Sequence, residues 1–375
     1  MKKTILHISK YYYPREGGIE SVARSMAEGL TEFNNIVICF SHDGSTRLDT
    51  INDVKVYRIA SHFKVASQDI AFSYYSNLKK VIQQYQPDVI LLHCPNPFLY
   101  PIVCRLKPEN SKLVLLWHSD ILGKGLLYKM IKRRELNILR KSDLILTTSS
   151  NYIHPSSPIY DFRDKIKVVP NSINTFYFAI SEDEKVKINE IRERYGNKKI
   201  ILFIGRHVKY KGLEYLISAE QYIKSDCIIL IGGSGPETKS LKKMAYSNRI
   251  QFIDRIPEKD LKYYYYASDI FAFTSVTKQE AFGVVLLEAM YCKCVPVTFT
   301  IEGSGVNWVS VKGETCEEVP LCDEKAYAAA IDRLLTDHAL YERYAENGRK
   351  RVEGMFTAKI VNQEAAVALK ELLYE

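Results

Sequence analysis

The sequence predicts an α/β protein with two doubly wound domains in tandem, and three observations support this fold class. Apolar strand-like runs alternate with helix-like runs, a pattern that favours parallel sheets covered by helices on both faces. The alternation breaks at Pro170-Asn171 and begins again at Lys199. The length of 375 residues exceeds that of a typical single domain. We therefore place the first domain at 1–178 and the second at 179–356, with a ligand cleft between them.

The individual elements follow from short apolar runs for strands and from amphipathic spacing for helices. In the first domain we expect strands at 4–8, 35–40, 88–93, 112–117, 144–148 and 166–169, and helices at 19–33, 71–85 and 126–139. In the second domain we expect strands at 199–203, 227–231, 250–253, 270–273 and 295–299, and helices at 213–222, 239–247, 258–267 and 284–291. A polar, charged helix at 181–193 separates the two series. Ligands of such sheets bind beyond the carboxyl ends of the strands, so the loops that follow strands hold the candidate site.

The composition is that of a globular protein, with 46% apolar and 26% charged residues. No apolar run approaches the roughly 18 residues that span a bilayer, and the run that follows the first lysines is too short for a signal peptide. The eight cysteines lack the C-x-x-C spacing of zinc sites. We expect a cytoplasmic protein with reduced, buried thiols and no metal site.

The formal charge of +8 is moderate, but one stretch is strongly basic. Residues 122–141 contain seven Lys or Arg and a single acid, Glu135, with apolar residues between them. Two interpretations stay open. The stretch is either a surface helix with a solvated basic face, or a helix that lies on anionic lipid at the inner face of the cell membrane.

Three loops that contain glycine follow predicted strands. Gly17-Gly18 opens the first helix, where backbone N–H groups approach a phosphate or a sugar, although a tight strand-to-helix turn is the alternative. Gly205-Arg206 and Lys211-Gly212 follow a strand, and this arginine and lysine suit a diphosphate, although basic residues are common in loops. The loop from Gly232 to Pro236 lacks the pattern of a dinucleotide fingerprint. We interpret it as close backbone packing beside a ligand.

His118 and Asp120 follow the strand at 112–117, so both are expected to point into the cleft. A lone histidine is nevertheless more often a hydrogen-bonded structural residue. The sequence contains no G-x-S-x-G, H-E-x-x-H or Walker motif.

The most informative stretch runs from Glu280 to Glu288, directly after the strand at 270–273. A helix that begins near Gly283 directs free N–H groups at an anion. Glu280 lies at the mouth of the turn, and Glu288 reaches a second part of the same ligand, such as a ribose. Two solvated glutamates are the alternative, because the same spacing occurs by chance elsewhere in the chain.

Together these segments resemble the family 4 glycosyltransferases, which are retaining enzymes of GT-B fold. The residues that carry the resemblance span nearly the whole chain: Gly17 to Glu20, His118 with Asp120, Val169 to Asn171, Gly205-Arg206, Lys211-Gly212, Gly232 to Pro236, Ser268 to Ile270 and Glu280 to Glu288. Thr274-Ser275 departs from the usual Pro-Ser of the family. The resemblance implies two Rossmann-like domains that face a central cleft, with a C-terminal helix at 357–375 packed on the first domain.

The resemblance also implies a role for each matched residue, with His118, Arg206, Lys211 and Glu280 as the catalytic set. Arg206 and Lys211, beside Gly205, would hold the donor diphosphate, and Glu288 would hold the ribose hydroxyls. Glu280 would contact the transferred sugar. Further contacts with the donor would come from Gly18, Arg255, Ile256, Phe282, Gly283 and Val284, and contacts on the acceptor side from Gly17, Gly18 and Asp120.

The segment from Glu302 to Val309 looks like a signature of bacterial mannosyltransferases and related transferases of polysaccharide assembly. GDP-mannose is therefore the first donor candidate and a UDP-sugar the second, with a glycan or a lipid-linked acceptor. No metal or other cofactor is required where protein cations neutralise the phosphates. Two alternatives use a similar scaffold, a nucleotide-sugar epimerase and a phosphorylase. A basic nucleic-acid-binding protein is the alternative from another class.

Overall fold

The computed structural model describes residues 2–14, 17–41, 43–65, 68–121 and 125–374. The chain divides into two compact units. The first unit consists of Met1–Ser172 together with Ala358–Glu375, and the second of Ile173–Thr357. The sequence-based division lies at 178/179, with a return to the first domain at 357.

The strands of the first unit are β1 Thr4–Ile8, β2 Asn34–Phe40, β3 Arg47–Ile51, β4 Val54–Ile59, β5 Phe63–Val65, β6 Gln68–Ile70, β7 Val89–Cys94, β8 Lys112–Trp117, β9 Leu144–Thr147 and β10 Ile166–Val168. Those of the second are β11 Lys199–Ile204, β12 Cys227–Gly232, β13 Ile250–Ile253, β14 Ile270–Phe273, β15 Val295–Phe299 and β16 Glu317–Val319. The helices, in chain order, are α1 Gly18–Gly29, α2 Tyr74–Tyr85, α3 Tyr100–Leu106, α4 Gly125–Lys141, α5 Thr175–Phe178, α6 Lys185–Arg194, α7 Leu213–Ala219, α8 Thr238–Met244, α9 Glu258–Ala267, α10 Val284–Tyr291, α11 Val306–Val309, α12 Glu324–Thr336, α13 His338–Met355 and α14 Ala358–Tyr374.

The described part of the first unit contains an eight-stranded sheet in the order β10-β9-β8-β7-β1-β2-β4-β3. Its neighbouring strands run parallel except at one edge, where β3 is antiparallel to β4. The central strand β7 is buried along its whole length, as expected for a strand with helices on both faces of the sheet. The strand order reverses at β1, which pairs with β2 on one side and β7 on the other. The loops that follow these strands therefore meet at a topological switch point.

Helix α14 belongs to the first unit and packs on α1. Val22, Met26 and Leu30 share an apolar cluster with Val361 and Leu369. The two helices also meet at a polar contact, where the side-chain amide of Asn362 donates to the carbonyl of Ser25 over 3.3 Å. The C-terminal segment thus helps to cover one face of the first sheet.

The described part of the second unit contains a six-stranded, fully parallel sheet in the order β13-β12-β11-β14-β15-β16. The order reverses between β11 and β14. The crevice beyond the carboxyl ends of these two strands is where a sheet of this topology binds a ligand. Two of the predicted donor loops begin there, one after Ile204 and the other after Phe273.

Several predicted elements have the bounds that the structure shows, among them β1, β8, β13, β14, β15, α9 and α10. The sequence did not predict the hairpin β3–β4, the short strands β5, β6 and β16, or helices α3, α5, α11, α12 and α13. Within the described residues, no helix combines the length and the apolar composition that crossing a membrane requires.

Candidate active site

An ion pair between Lys211 and Glu280 lies at the switch point of the second sheet. Lys211 follows β11 and Glu280 follows β14, and both side chains are largely buried, with 12% and 15% of their area exposed. The hydroxyl of Ser275 donates to the same carboxylate oxygen of Glu280 over 3.3 Å. The two loops therefore place one cation and one anion together where the strand order reverses.

The backbone fixes Lys211 through contacts between the two loops. The hydroxyl of Thr274 donates to the carbonyl of Lys211 over 2.8 Å, and the N–H of Val276 donates to the carbonyl of Tyr210 over 2.9 Å. Gly212 follows with a φ of +58°, and a Cβ there would lie 2.3 Å from the Thr274 carbonyl oxygen. Only glycine fits this turn, since it adopts a left-handed conformation against another backbone.

The turn after Glu280 leads directly into α10. Gly283 is the N-cap residue, with a φ of +82°, and no side chain caps the helix. Among the described residues, none accepts a hydrogen bond from the backbone N–H of Phe282, Gly283 or Val284. Such N–H groups at a helix start, together with the helix dipole, attract an anion. The start of α10 next to Glu280 is therefore an electropositive position.

Glu288 lies further along α10, and its carboxylate accepts a hydrogen bond from the Tyr265 hydroxyl over 2.8 Å. Burial raises the pKa of Glu288 to about 7, and the charge of Glu258 adds to the rise, while the Tyr265 hydrogen bond opposes it. A carboxyl group with this pKa changes its ionisation near neutral pH. Hydrogen bonds from the hydroxyl groups of a ligand would therefore favour its ionised form.

Arg206 is exposed, and its side chain makes no hydrogen bond or ion pair with any described residue. It lies on the loop after β11 that packs tightly against the loop after β12. A Cβ on Gly233, whose φ is +114°, would lie 2.0 Å from the carbonyl oxygen of Gly205. The close backbone packing expected for the loop from Gly232 to Pro236 is thus present. The guanidinium of Arg206 lies outside this packing and is available to bind a ligand.

The segment after β13 contains Arg255 and Ile256. Arg255 is exposed and Ile256 is half-buried. The end of the Ile256 side chain lies 3.4 Å from the position that a Cβ on Gly232 would take. This apolar side chain therefore lies against the glycine loop after β12.

In the first unit, His118 follows β8 and is buried. Its Nε2 lies 3.1 Å from Nδ1 of His93 on the neighbouring strand β7. The two rings stack with centroids 5.3 Å apart. Burial lowers the pKa of His118 to about 3, so the imidazole is neutral at physiological pH.

Asp120 is also buried, and its carboxylate is engaged within the first unit. The indole N–H of Trp117 and the hydroxyl of Ser157 each donate to its Oδ1 over 2.9 Å. The backbone N–H of Asp120 donates to the hydroxyl of Tyr152 over 2.7 Å. These contacts fix the loop that carries His118.

Gly17 and Gly18 are exposed at the start of α1. Gly17 is the N-cap residue in an extended conformation, and no side chain caps the helix. A Cβ on Gly17 would lie 2.5 Å from a carboxylate oxygen of Glu20, whereas a Cβ on Gly18 would meet nothing within 4 Å. The approach to the backbone of this helix start is therefore open at Gly18.

Two protein-family models match the chain. The model described as "Glycosyltransferase Family 4" matches residues 16–176, and the model described as "Glycosyl transferases group 1" matches residues 184–351. Together they cover most of both units. The chain belongs to the family 4 glycosyltransferases.

Curated relatives of this glycosyltransferase match it over nearly their full length. It is 27% identical to O-antigen chain mannosyltransferase C of Escherichia coli, with 94% of each chain covered. It is 28% identical to D-rhamnosyltransferase WbpZ of Pseudomonas aeruginosa, with 94% of this chain and 92% of the relative covered. This membership favours glycosyl transfer over the epimerase, phosphorylase and nucleic-acid-binding alternatives.

Solved structures show that the glycosyltransferase has the GT-B fold. A sucrose-phosphate synthase from Thermosynechococcus elongatus superposes with a TM-score of 0.81 at 20% identity, and each chain is fully covered. Alr3699/HepE of Anabaena, solved in complex with UDP-glucose, superposes with a TM-score of 0.77 at 18% identity over 98% of this chain and 99% of that chain. The predicted fold, with two Rossmann-like halves, is confirmed.

The sequence did not identify three residues that contact the candidate site residues of this glycosyltransferase. Ser275 donates to Glu280, Tyr265 donates to Glu288, and His93 contacts His118. Ser275 follows β14 at the carboxyl end of the strand, which is the one signal that could have identified it. Tyr265 lies on α9 and His93 within β7, so neither carries a sequence signal of its own.

Proposed function

We propose that this glycosyltransferase moves a hexose from a nucleotide diphosphate sugar to a glycan or lipid-linked acceptor in cell-surface polysaccharide synthesis, with retention of configuration. The observation that carries the proposal is the Lys211–Glu280 pair beside the uncapped start of α10. The cation at this switch point suits the diphosphate of such a donor, and the carboxylate suits its sugar hydroxyls. The free N–H groups suit the negative charge that develops on the diphosphate as it leaves.

In the proposed complex, Arg206 and Lys211 bind the diphosphate, and Glu280 accepts hydrogen bonds from the transferred hexose. Lys211 is paired with Glu280 in the free protein, so its charge is held at the position that the phosphates take. Arg206 adds a planar guanidinium that contacts two phosphate oxygens at once. Glu288 accepts the ribose hydroxyls, and Arg255 and Ile256 lie along the base.

The proposed transfer breaks the bond between the sugar C1 and the phosphate oxygen, and the electron pair leaves with the diphosphate. Arg206, Lys211 and the N–H groups of α10 stabilise this developing charge electrostatically. The acceptor oxygen bonds to C1 on the face that the phosphate leaves. The departing phosphate oxygen takes the acceptor proton, so the step needs neither a protein nucleophile nor a metal ion.

GDP-mannose is the first donor candidate and a UDP-sugar the second. The segment from Glu302 to Val309 and the relationship to an O-antigen mannosyltransferase support a mannosyl donor. The fold shared with a protein solved in complex with UDP-glucose makes UDP the competing nucleotide.

A panel of GDP-, UDP- and ADP-sugars in a thermal unfolding assay tests the proposal. A ligand that binds only the native state raises the melting temperature in a dose-dependent way. We expect a shift with one nucleotide class, GDP first, and its loss in Glu288→Ala and Arg206→Ala. An absence of any shift across the panel would overturn the donor assignment.

We also propose that α4 attaches the protein to anionic lipid by electrostatic contact. Its basic residues Lys129, Lys132, Arg133, Arg134, Arg140 and Lys141 are exposed. Ile131, Ile138 and Leu139 are buried in the protein, so they do not insert into lipid. Leu122 to Lys124, and the side chains of residues 126–128 and 130, lie outside the described residues. Each exposed cation contributes about 1 kcal/mol at a negatively charged membrane surface.

Co-sedimentation with vesicles of phosphatidylserine and phosphatidylcholine tests the membrane contact. Charge reversal at Lys132, Arg133 and Arg134 should abolish binding at low salt. Charge reversal at Lys239, Lys242 and Lys243, which are exposed on the second unit, is the control of equal net charge and should retain most of it. Equal losses in the two variants, or none in either, would contradict the proposal.

A further inference from the structure

Three buried histidines, of which His118 is one, stack across neighbouring strands of the first sheet. His7 lies on β1, His93 on β7, and His118 directly after β8. The ring centroids of His7 and His93 are 6.1 Å apart, and those of His93 and His118 are 5.3 Å apart. A row of neutral imidazoles inside a sheet raises the question of which ring nitrogen holds each proton.

We propose that His93 fixes the proton of His118 on Nδ1, so that His118 presents an N–H donor to the sugar. This inference rests on the proposed function only for the identity of the group that His118 meets. It names His93 as a positioning residue that acts through His118. The hydrogen-bond partners of the three rings determine which nitrogen of each ring holds the proton.

His93 has one ring nitrogen with a partner and one without. Its Nδ1 lies 3.1 Å from Nε2 of His118, whereas its Nε2 is buried and has no hydrogen-bond partner. Burial lowers the pKa of both His93 and His118, which are therefore neutral and carry one N–H each. A buried N–H without an acceptor is costlier and rarer than an unused acceptor. The proton of His93 therefore lies on Nδ1, and Nε2 of His118 accepts it.

His7 does not compete for this role. Its Nε2 lies 3.0 Å from the amide oxygen of Asn35, and the amide nitrogen of Asn35 donates to the carbonyl of Leu30 over 2.8 Å. The Asn35 oxygen is thus the acceptor, and His7 carries its proton on Nε2. Its Nδ1 is buried without a partner. His7 therefore stacks on His93 without a hydrogen bond, which makes it a matched control.

The consequence for the reaction is that His118 acts as a donor and not as a base. Its Nε2 is occupied by His93, so Nδ1 is the ring nitrogen left for a ligand, and it carries the proton. An N–H at this position donates a hydrogen bond to a hydroxyl oxygen of the sugar and so orients the sugar for transfer. It cannot remove the acceptor proton, in agreement with transfer of that proton to the departing phosphate.

The direct test is ¹⁵N NMR of the full chain labelled at histidine, without ligand, with signals assigned from single variants. The expected result is a protonated Nδ1 on both His118 and His93 and a protonated Nε2 on His7. A protonated Nε2 on His118 would overturn the inference. Because this measurement needs no donor, its failure is distinguishable from failure of the proposed function, which the nucleotide panel tests separately.

Two variants of His93 extend the test to catalysis. His93→Phe keeps a stacked ring and removes the donor, so we expect a mixed tautomer at His118 and a kcat for nucleotide release lower by about tenfold, with KM for the donor nearly unchanged. His93→Asn places an amide N–H where Nδ1 was, and should restore the tautomer and most of kcat. His7→Phe should change neither. An unchanged tautomer of His118 in folded His93→Phe would contradict the inference, and the wild-type NMR result decides if that variant fails to fold.

Discussion

Burial of the Glu288 carboxyl group raises its pKa, so its ability to accept hydrogen bonds from a ligand depends on pH. Its pKa is raised from 4.5 to about 7 because the carboxylate is desolvated on α10. A carboxylate accepts hydrogen bonds from hydroxyls more strongly than a neutral carboxyl group does. In the proposed complex, ribose binding therefore favours the ionised form, and the free protein at acidic pH would have to release a proton to bind.

We predict that donor affinity rises with pH up to about 7 and then levels off. The sign follows because only the ionised form of Glu288 binds well, so affinity increases by up to about tenfold per pH unit below the pKa. Without donor, the native state holds a proton that the unfolded chain releases between pH 4.5 and about 7. The free energy of unfolding therefore falls as pH rises through that window.

Calorimetric titration of the donor at several pH values checks this prediction. In Glu288→Gln the affinity should be weak and nearly independent of pH over the same range. A wild-type affinity that is equally flat would remove Glu288 from the ribose site.

At the level of single residues, the sequence indicated the position of the site but not its pairing. Glu280 and Glu288 were identified because they follow a strand and flank a helix start. The contact of Glu280 with Lys211 joins residues 69 positions apart, and it arises because β11 and β14 are neighbours in the sheet. His93 was not identified for the same reason, since its partner His118 directly follows the adjacent strand β8.

At the level of elements, glycine turns fix the loops that carry the site. Gly212 has a φ of +58°, and a Cβ there would lie only 2.3 Å from the Thr274 carbonyl oxygen. Gly196 has a similar φ of +64°, but a Cβ there would meet nothing within 4 Å. The two positions share the same backbone conformation and differ in the space around it.

We predict that Gly212→Ala is markedly less stable than Gly196→Ala. The left-handed conformation costs a non-glycine residue about 1–2 kcal/mol, and this cost applies at both positions. At Gly212 the clash with the backbone adds to it and displaces Lys211, so donor binding should fall as well. Chemical denaturation of the two variants, with donor titration, measures both effects. Equal stability and equal donor binding would show that the packing of this loop is unimportant.

Elements with strong apolar patterns were predictable, whereas those defined by turns and caps were not. The hairpin β3–β4 turns at Asn52 and Asp53, both of which have positive φ. Its alternating pattern is short, and the residues of β3 alternate between half-buried and exposed, with none fully buried. Helices α12 and α13 are preceded by the N-cap residues Asp323 and Asp337, whose side chains accept from the backbone N–H of Ala326 and Leu340. An aspartate at the N-cap is a sequence signal for the start of a helix.

At the level of the whole molecule, the family, the fold and the two sheets agree with the alternation of elements along the chain. The fold class was predictable because buried parallel strands are near-continuous apolar runs. The donor base and the acceptor were not, since hydroxyl and base recognition depend on positions that several strands bring together. The proposed nucleotide diphosphate site at one end of the second sheet depends on residues such as Arg206.

The measurement that tests this claim most directly is calorimetric binding of GDP and UDP to the wild type, Arg206→Ala and Lys209→Ala. Arg206 and Lys209 are exposed on the same loop after β11, so both variants should fold and both lose one charge. Loss of a charged hydrogen bond of about 1.5–3 kcal/mol should weaken binding of the preferred nucleotide roughly tenfold or more in Arg206→Ala. Lys209→Ala should bind nearly as the wild type does. Unchanged binding in Arg206→Ala, or equal losses in both variants, would contradict the assignment of the diphosphate to this loop.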